Sequence, residues 1–171
     1  MAGPLNTPWV AAAMTDREND VNGICLRGKA GWGEGGAFIT VTGNSFGARW
    51  FDEDWNAQFD QPEWKAALDF YTGMMAESGP AGYATNGFNE NLSLFQQGKC
   101  GMWIDATVAA SFVTNPNDSQ VADSVGFALA PWVIGTEAYE RLGIAPVELQ
   151  HVHVIGPETL QARLHVGLEN R

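Results

Sequence analysis

One segment, residues 87–111, constrains the fold more than any other, because a helical pattern passes directly into a strand pattern. Apolar residues recur at helical spacing over 88–95, and Asn89 is a suitable N-cap residue. Gly98 stands where a helix commonly ends, and residues 100–104 follow as a short strand. A helix that leads at once into a strand is typical of α/β domains, in which helices cover a sheet.

The rest of the chain fits the same class. Further strands are predicted over 21–28 and 125–131, and the clearest helix starts near Pro62 and ends at Gly79. Residues 37–50 fit either a strand, from their β-branched content, or a helix, from the spacing of their aromatic residues. One face of the clearest helix is predicted to carry Trp64, Leu68, Tyr71 and Met75, with Trp64 in the core.

Changes of character along the chain divide it into three parts. Residues 1–20 are predicted as a lead-in, 21–131 as an α/β lobe, and 132–171 as a C-terminal segment with a helix and a strand. No apolar run approaches the roughly 20 residues that a membrane span needs. The first residues have neither the basic nor the apolar region of a signal peptide, so none is predicted in this chain.

Charge limits the classes of partner. The chain has 9 Lys and Arg against 20 Asp and Glu, a formal net charge of −11, which opposes binding to nucleic acid and to anionic membrane surfaces. No cofactor is expected. His151, His153 and His165 are too few and lack an acidic neighbour, so no metal site is predicted in this tail.

The two cysteines, Cys25 and Cys100, both fall in predicted strands. They form a disulfide if the two strands are neighbours and the compartment is oxidising, and otherwise serve as two small buried hydrophobic residues. Without a histidine close in sequence, neither is expected to act as a nucleophile. The sequence leaves the choice between the disulfide and the free thiols open.

Two motifs carry a family resemblance, "GICLRGKAGWGE" and "FNENLSLFQQGKCGMWIDATVAAS". From residue 16 to 131 the chain resembles the extracellular solute-binding proteins of ABC transporters, in particular those that bind sugar alcohols such as sorbitol and mannitol. The resemblance implies one lobe of a two-lobe periplasmic-binding-protein-like fold, with a mixed sheet flanked by helices. It also implies non-catalytic binding of a small neutral carbohydrate or polyol, a periplasmic or extracellular location, and an ABC permease as partner.

Family members have two lobes joined by a hinge that closes over the ligand. The matched part resembles mainly the second lobe, and the sequence after Pro131 departs from the family pattern. We therefore expect a truncated binding protein whose monomer binds polyols with millimolar or undetectable affinity. In the alternative, an orphan lobe acts only by self-association, as a homo-oligomer formed through its exposed lobe face.

Three candidate ligand-binding residues follow the first predicted strand. Arg27 donates hydrogen bonds to hydroxyl groups or pairs with an acid. Trp32, between two glycines, is suited to stack on the C–H face of a polyol. Glu34 accepts hydrogen bonds from hydroxyl groups, or is a solvated acid at the start of a helix.

Three more candidates lie at the end of the second strand, where open α/β sheets bind ligands. Trp103 and Asp105 share one side of the strand, so both are expected to face the ligand. Otherwise Trp103 fills the core and Asp105 caps a helix from residue 106, and Thr107 is a further candidate. A less favoured function, a glycoside-acting enzyme, would use Glu34 and Asp105 as its carboxyl pair.

Overall fold

Two short parallel strands lie at the centre of the part of the chain that the structure, a computed structural model, describes: residues 7–127. Strand β1, Asn22–Cys25, pairs with strand β2, Cys100–Trp103, and Ile24 lies opposite Met102. Parallel neighbours need a long crossover connection, and here helices supply it. The α/β fold class predicted from the sequence is therefore confirmed.

Five α-helices surround this strand pair within residues 7–127. The core between them is formed by apolar side chains of β1, the first helix and the third helix, with Ile24 and Leu26 almost completely buried. Of these five, none is long and apolar enough to cross a membrane. The helices are α1, Thr7–Met14; α2, Ala37–Ser45; α3, Pro62–Ser78; α4, Phe88–Gln96; and α5, Ala109–Val113.

Helix α3 confirms the clearest prediction, but its buried face differs from the predicted one. Trp64, Tyr71 and Met75 are buried as expected, whereas Leu68 is 39% exposed. A step of four residues turns about 40° beyond one full helical turn. Leu68 therefore lies about 40° around the helix from Trp64 and is turned away from the core. Ala67, at a three-residue step from Trp64, is buried in the place predicted for Leu68. For residues 37–50 the sequence left a strand and a helix open, and the structure has the helix, α2.

The ends of α4 and α5 correct two capping predictions. Helix α4 is preceded by Gly87, whose backbone N–H donates to the Glu90 carboxylate at 2.8 Å, and Asn89 lies inside the helix. Gly98 ends this segment with a φ of 73°, as its position predicted. Helix α5 begins at Ala109, so Asp105 is not the cap of a helix from residue 106.

A disulfide joins the two central strands. Cys25 and Cys100 are both buried and bonded, with their Cα atoms 5.9 Å apart, which decides the alternative left open by the sequence. Helix α1, within the predicted lead-in, packs against β1 and buries Ala11 and Met14 completely. The three-part division of the chain stays a prediction. Residues 132–171 and most of the predicted strand 125–131 lie outside the described residues.

Candidate functional site

The parallel pairing brings two of the predicted residues together at one edge of the strand pair. Arg27 lies two residues after the end of β1, and Asp105 lies two residues after the end of β2. The Arg27 guanidinium binds the Asp105 carboxylate at two points, Nε to Oδ2 at 2.9 Å and Nη2 to Oδ1 at 2.5 Å. This two-point geometry is the strong form of an arginine–carboxylate pair.

Asp105 uses its whole acceptor capacity within the protein. Besides Arg27, its carboxylate accepts hydrogen bonds from the Trp103 indole Nε1 at 3.1 Å and from the Ala106 backbone N–H at 2.7 Å. These four donors match the four acceptor positions of a carboxylate. The Asp105 side chain is only 1% exposed. A ligand hydroxyl would therefore have to displace a protein donor to reach this carboxylate.

The Arg27 guanidinium has further polar partners and two aromatic neighbours. Its Nη1 donates to the Gly33 carbonyl at 2.6 Å and to Glu34 Oε2 at 3.2 Å. The rings of Phe38 and Phe88 lie 5.2 and 5.1 Å from the guanidinium carbon, within cation–π distance. The hydrogen bond with Asp105 raises the pKa of Arg27 above its ordinary value, against the opposing effect of burial.

A buried tyrosine supports the backbone beneath this guanidinium. The Tyr71 hydroxyl, from helix α3, donates to the Arg27 carbonyl at 2.9 Å. Burial raises the pKa of Tyr71, and the nearby Asp105 charge adds to this effect. The tyrosine therefore stays neutral and keeps its proton for this hydrogen bond at physiological pH.

The glycine-rich loop that follows Arg27 carries two further candidates, Trp32 and Glu34. Trp32 is 86% exposed, and Gly31 before it has a φ of 140°, a conformation that favours glycine. The Glu34 side chain is 29% exposed, and its Oε2 also accepts the Phe88 backbone N–H at 3.1 Å. Its second oxygen, Oε1, accepts no hydrogen bond from residues 7–127 and is available to another donor.

Glu34 therefore interacts with the start of helix α4 rather than with the start of α2, the helix that follows it in sequence. The dipole of α4 favours a carboxylate at this end. Close approach requires glycine at position 87, because a Cβ there would lie 2.6 Å from Glu34 Oε2. The sequence suggested that Glu34 could be an acid at the start of a helix, but it could not show which helix.

The two remaining candidates differ in exposure. Trp103 is partly buried, with its ring 5.5 Å from that of Phe88 and 5.7 Å from that of Phe95. It contacts Asp105 directly, in agreement with the predicted shared side of the strand. Thr107 is exposed in the turn between β2 and α5.

The sequence did not identify the aromatic partners of Arg27. Phe88 was assigned only to a helical face, and no signal in the sequence relates Phe38 to a strand-end arginine. The described residues contain no group of three or more His, Cys, Asp or Glu side chains that could hold a metal ion. The three histidines of the tail lie outside the described residues.

Comparison with known proteins gives consistent matches. The family model for bacterial extracellular solute-binding proteins matches residues 9–143. A mannitol-binding protein of Pseudomonas aeruginosa is 56% identical over 121 residues, which are 71% of this chain and 28% of the relative. The chain thus spans less than a third of the length of this curated relative.

Two solved structures are also similar. An ABC transporter solute-binding protein from Agrobacterium vitis S4, crystallised with bound D-mannitol, is 67% identical with a TM-score of 0.71, over 73% of this chain and 30% of that one. One from Agrobacterium radiobacter K84, in complex with ribitol, is 23% identical with a TM-score of 0.67, over 80% and 34%. At that identity the second supports the fold alone.

Proposed function

Since the chain belongs to the bacterial extracellular solute-binding proteins, we propose that it binds a neutral sugar alcohol for uptake through an ABC transporter. The observation that carries this proposal is the edge of the strand pair, where the exposed Trp32 lies two residues before Glu34, whose Oε1 accepts no hydrogen bond from residues 7–127. The 67% identical relative with bound D-mannitol makes a hexitol the first ligand to test.

The accessible side chains fit the surface of a polyol. A polyol has C–H faces that stack on aromatic rings and hydroxyl groups that need acceptors and donors. In this proposal the exposed Trp32 covers a C–H face, and Glu34 Oε1 accepts one or two hydroxyl protons. The Thr107 hydroxyl and the accessible part of Trp103 complete the contacts.

The local charge favours an uncharged solute. The edge carries two cations, Arg27 and Lys29, and three carboxylates, those of Glu34, Glu90 and Asp105, joined in ion pairs. An anionic sugar acid or sugar phosphate would meet a net negative surface and an arginine that is already occupied. The selectivity expected is therefore for neutral polyols over their carboxylate or phosphate derivatives.

Solute-binding proteins of this family are not enzymes, and the geometry of the carboxyl pair agrees. Glu34 and Asp105 share one guanidinium, and Asp105 has no acceptor position free to act as nucleophile or base. This arrangement argues against the glycoside-acting alternative.

The location and the partners follow from the family and from the disulfide. Extracellular solute-binding proteins function outside the cytoplasm, and the buried Cys25–Cys100 disulfide suits an oxidising compartment. A membrane permease is the proposed partner for delivery of the ligand. Self-association through an exposed face stays a prediction, which light scattering of the purified chain tests directly.

Calorimetric titration of the full chain with mannitol tests the proposed function. We expect a saturable heat with a Kd of about 1 mM, because the described residues contact a ligand from one side only. Trp32→Ala should weaken binding about tenfold, since stacking on an aromatic ring contributes about 1 kcal/mol or more. Trp55→Ala is the matched control, because Trp55 is also highly exposed, at 80%, and lies in a different loop.

Mannonate, the carboxylate derivative, should bind more weakly than mannitol. The proposal is wrong if no saturable heat appears with mannitol in the tens of millimolar. It is also wrong if the control substitution weakens mannitol binding as much as Trp32→Ala does.

A further inference from the structure

Arg27 is placed to organise the binding edge without contacting the ligand. Its residue surface is 8% exposed, and four of the five guanidinium N–H groups donate to protein acceptors. The rings of Phe38 and Phe88 both lie within cation–π distance of the group. A ligand therefore finds almost no accessible donor on Arg27.

Besides Phe38 in helix α2, the partners of the Arg27 guanidinium come from three segments of the chain. Asp105 follows strand β2, Gly33 and Glu34 belong to the glycine-rich loop, and Phe88 begins helix α4. The guanidinium thus ties the loop to the end of the second strand and to the start of a helix. A planar group with donors on two edges is suited to this task, whereas a lysine ammonium is not.

The loop, residues 31–36, needs hydrogen bonds to a fixed group such as the Arg27 guanidinium, because four of its six residues are glycine. Glycine loses more backbone freedom on folding than any other residue, so a glycine-rich loop is ordered only at a cost. Backbone hydrogen bonds hold the base of the loop, from Gly35 N–H to the Lys29 carbonyl and from Gly36 N–H to the Gly31 carbonyl. Near its tip, the Gly33 carbonyl is held by Arg27.

We propose that Arg27 is a positioning residue that holds the Trp32 loop in its binding conformation, with Asp105 orienting the guanidinium. This inference rests on the proposed function, in which Trp32 stacks on the polyol. Ordering the loop before the ligand arrives removes an entropic cost from binding. Arg27 therefore raises affinity through Trp32.

A double-mutant cycle separates this role from direct ligand contact. Calorimetry with mannitol is performed on the full chain as wild type, Arg27→Lys, Trp32→Ala and the double variant. We expect Arg27→Lys to weaken binding about tenfold in the wild-type background and to have little further effect in the Trp32→Ala background. Additive losses in the cycle would overturn the proposal.

The second readout is how well the Trp32 loop is ordered. If Arg27 only stabilised the fold as a whole, its substitution would not loosen this loop more than the rest of the chain. Heteronuclear NOE values for the Trp32 indole and the Gly33 amide should fall in Arg27→Lys, while those of helix α3 stay unchanged. Unchanged values at Trp32 and Gly33 would overturn the proposal. Arg49→Lys, at an exposed arginine, is the matched control and should change neither readout.

Asp105→Asn is the second variant, used if Arg27→Lys does not fold. It keeps the shape of the side chain but removes the charge and one pair of acceptor positions, so we expect the same loosening of the loop to a smaller extent. If wild type itself does not bind mannitol, the proposed function fails. The NOE values then still decide whether Arg27 orders the loop.

Discussion

Removal of the central disulfide should lower the stability of this chain by several kcal/mol. Cys25 and Cys100 are separated by 75 positions, and helices α2, α3 and α4 all lie within the closed loop. Chain-entropy theory gives about 4 to 5 kcal/mol for a loop of this length. That loss is a large part of the roughly 5–15 kcal/mol by which a typical domain is stable.

The measurement is urea unfolding at neutral pH, followed by circular dichroism, for the oxidised chain, the chemically reduced chain and Cys25→Ala/Cys100→Ala. With a slope of about 2 kcal/mol per molar urea, the midpoint should fall by about 2 M on reduction. The double variant should unfold near the reduced protein, or earlier, because both cysteine side chains are buried.

The double variant also provides the control, because the reductant should not change its midpoint. A shift of less than about 0.5 M between oxidised and reduced wild type would correspond to about 1 kcal/mol. Such a result would refute the reasoning, since it would mean that the bond constrains neither the unfolded chain nor the strand pair as the structure implies.

Four further substitutions test the packing and the charges. Gly43→Ala should cost about 1–3 kcal/mol in urea unfolding, because its new Cβ would lie 2.6 Å from the Trp64 ring. Gly73→Ala, in α3 with nothing within 4 Å, should instead gain up to about 1 kcal/mol, and a loss at both positions would contradict the packing. Asn91→Leu should raise stability by about 1–3 kcal/mol, because neither amide atom of this fully buried residue has a hydrogen-bond partner within residues 7–127, and a lower midpoint would show that Asn91 is satisfied. Glu90→Gln should lower the melting temperature at pH 7 but not in acid. The hydrogen bond from Gly87 lowers the pKa of Glu90 below 4.5, so its stabilisation is present above that pH and is lost as the pH falls through the lowered value; a pH-independent difference would contradict this.

Local patterns in the sequence predicted most elements of the described fold. The helix over 62–78, the glycine at position 98 and the strand that follows it depend on spacing and on backbone preference, which are readable from short windows. Residues 37–50 stayed ambiguous because β-branched and aromatic residues fit both periods, and tertiary packing against α3 selects the helix. The buried face of α3 was misassigned at Leu68, because only the position of the core decides between three-residue and four-residue steps.

The edge of the strand pair that carries the candidate residues could be located from the sequence, but its internal organisation could not. Arg27 and Asp105 were each expected at a strand end, and parallel pairing is what brings them together. The Arg27 guanidinium and the Asp105 carboxylate use their hydrogen-bonding groups on each other. This pairing depends on the distance between residues 78 positions apart in sequence, which no local pattern encodes. The same holds for the rings of Phe38 and Phe88 close to the guanidinium.

Fluorine NMR of the full chain labelled with 5-fluorotryptophan is the most direct test of polyol binding at this edge. The chain has seven tryptophans, each of which gives a separate probe that single Trp→Phe variants assign. We expect mannitol to shift the Trp32 resonance saturably, with a smaller shift at Trp103 and none at Trp55 or Trp64. Unchanged resonances at Trp32 and Trp103 in the tens of millimolar, or a response confined to Trp55 and Trp64, would contradict binding at this edge.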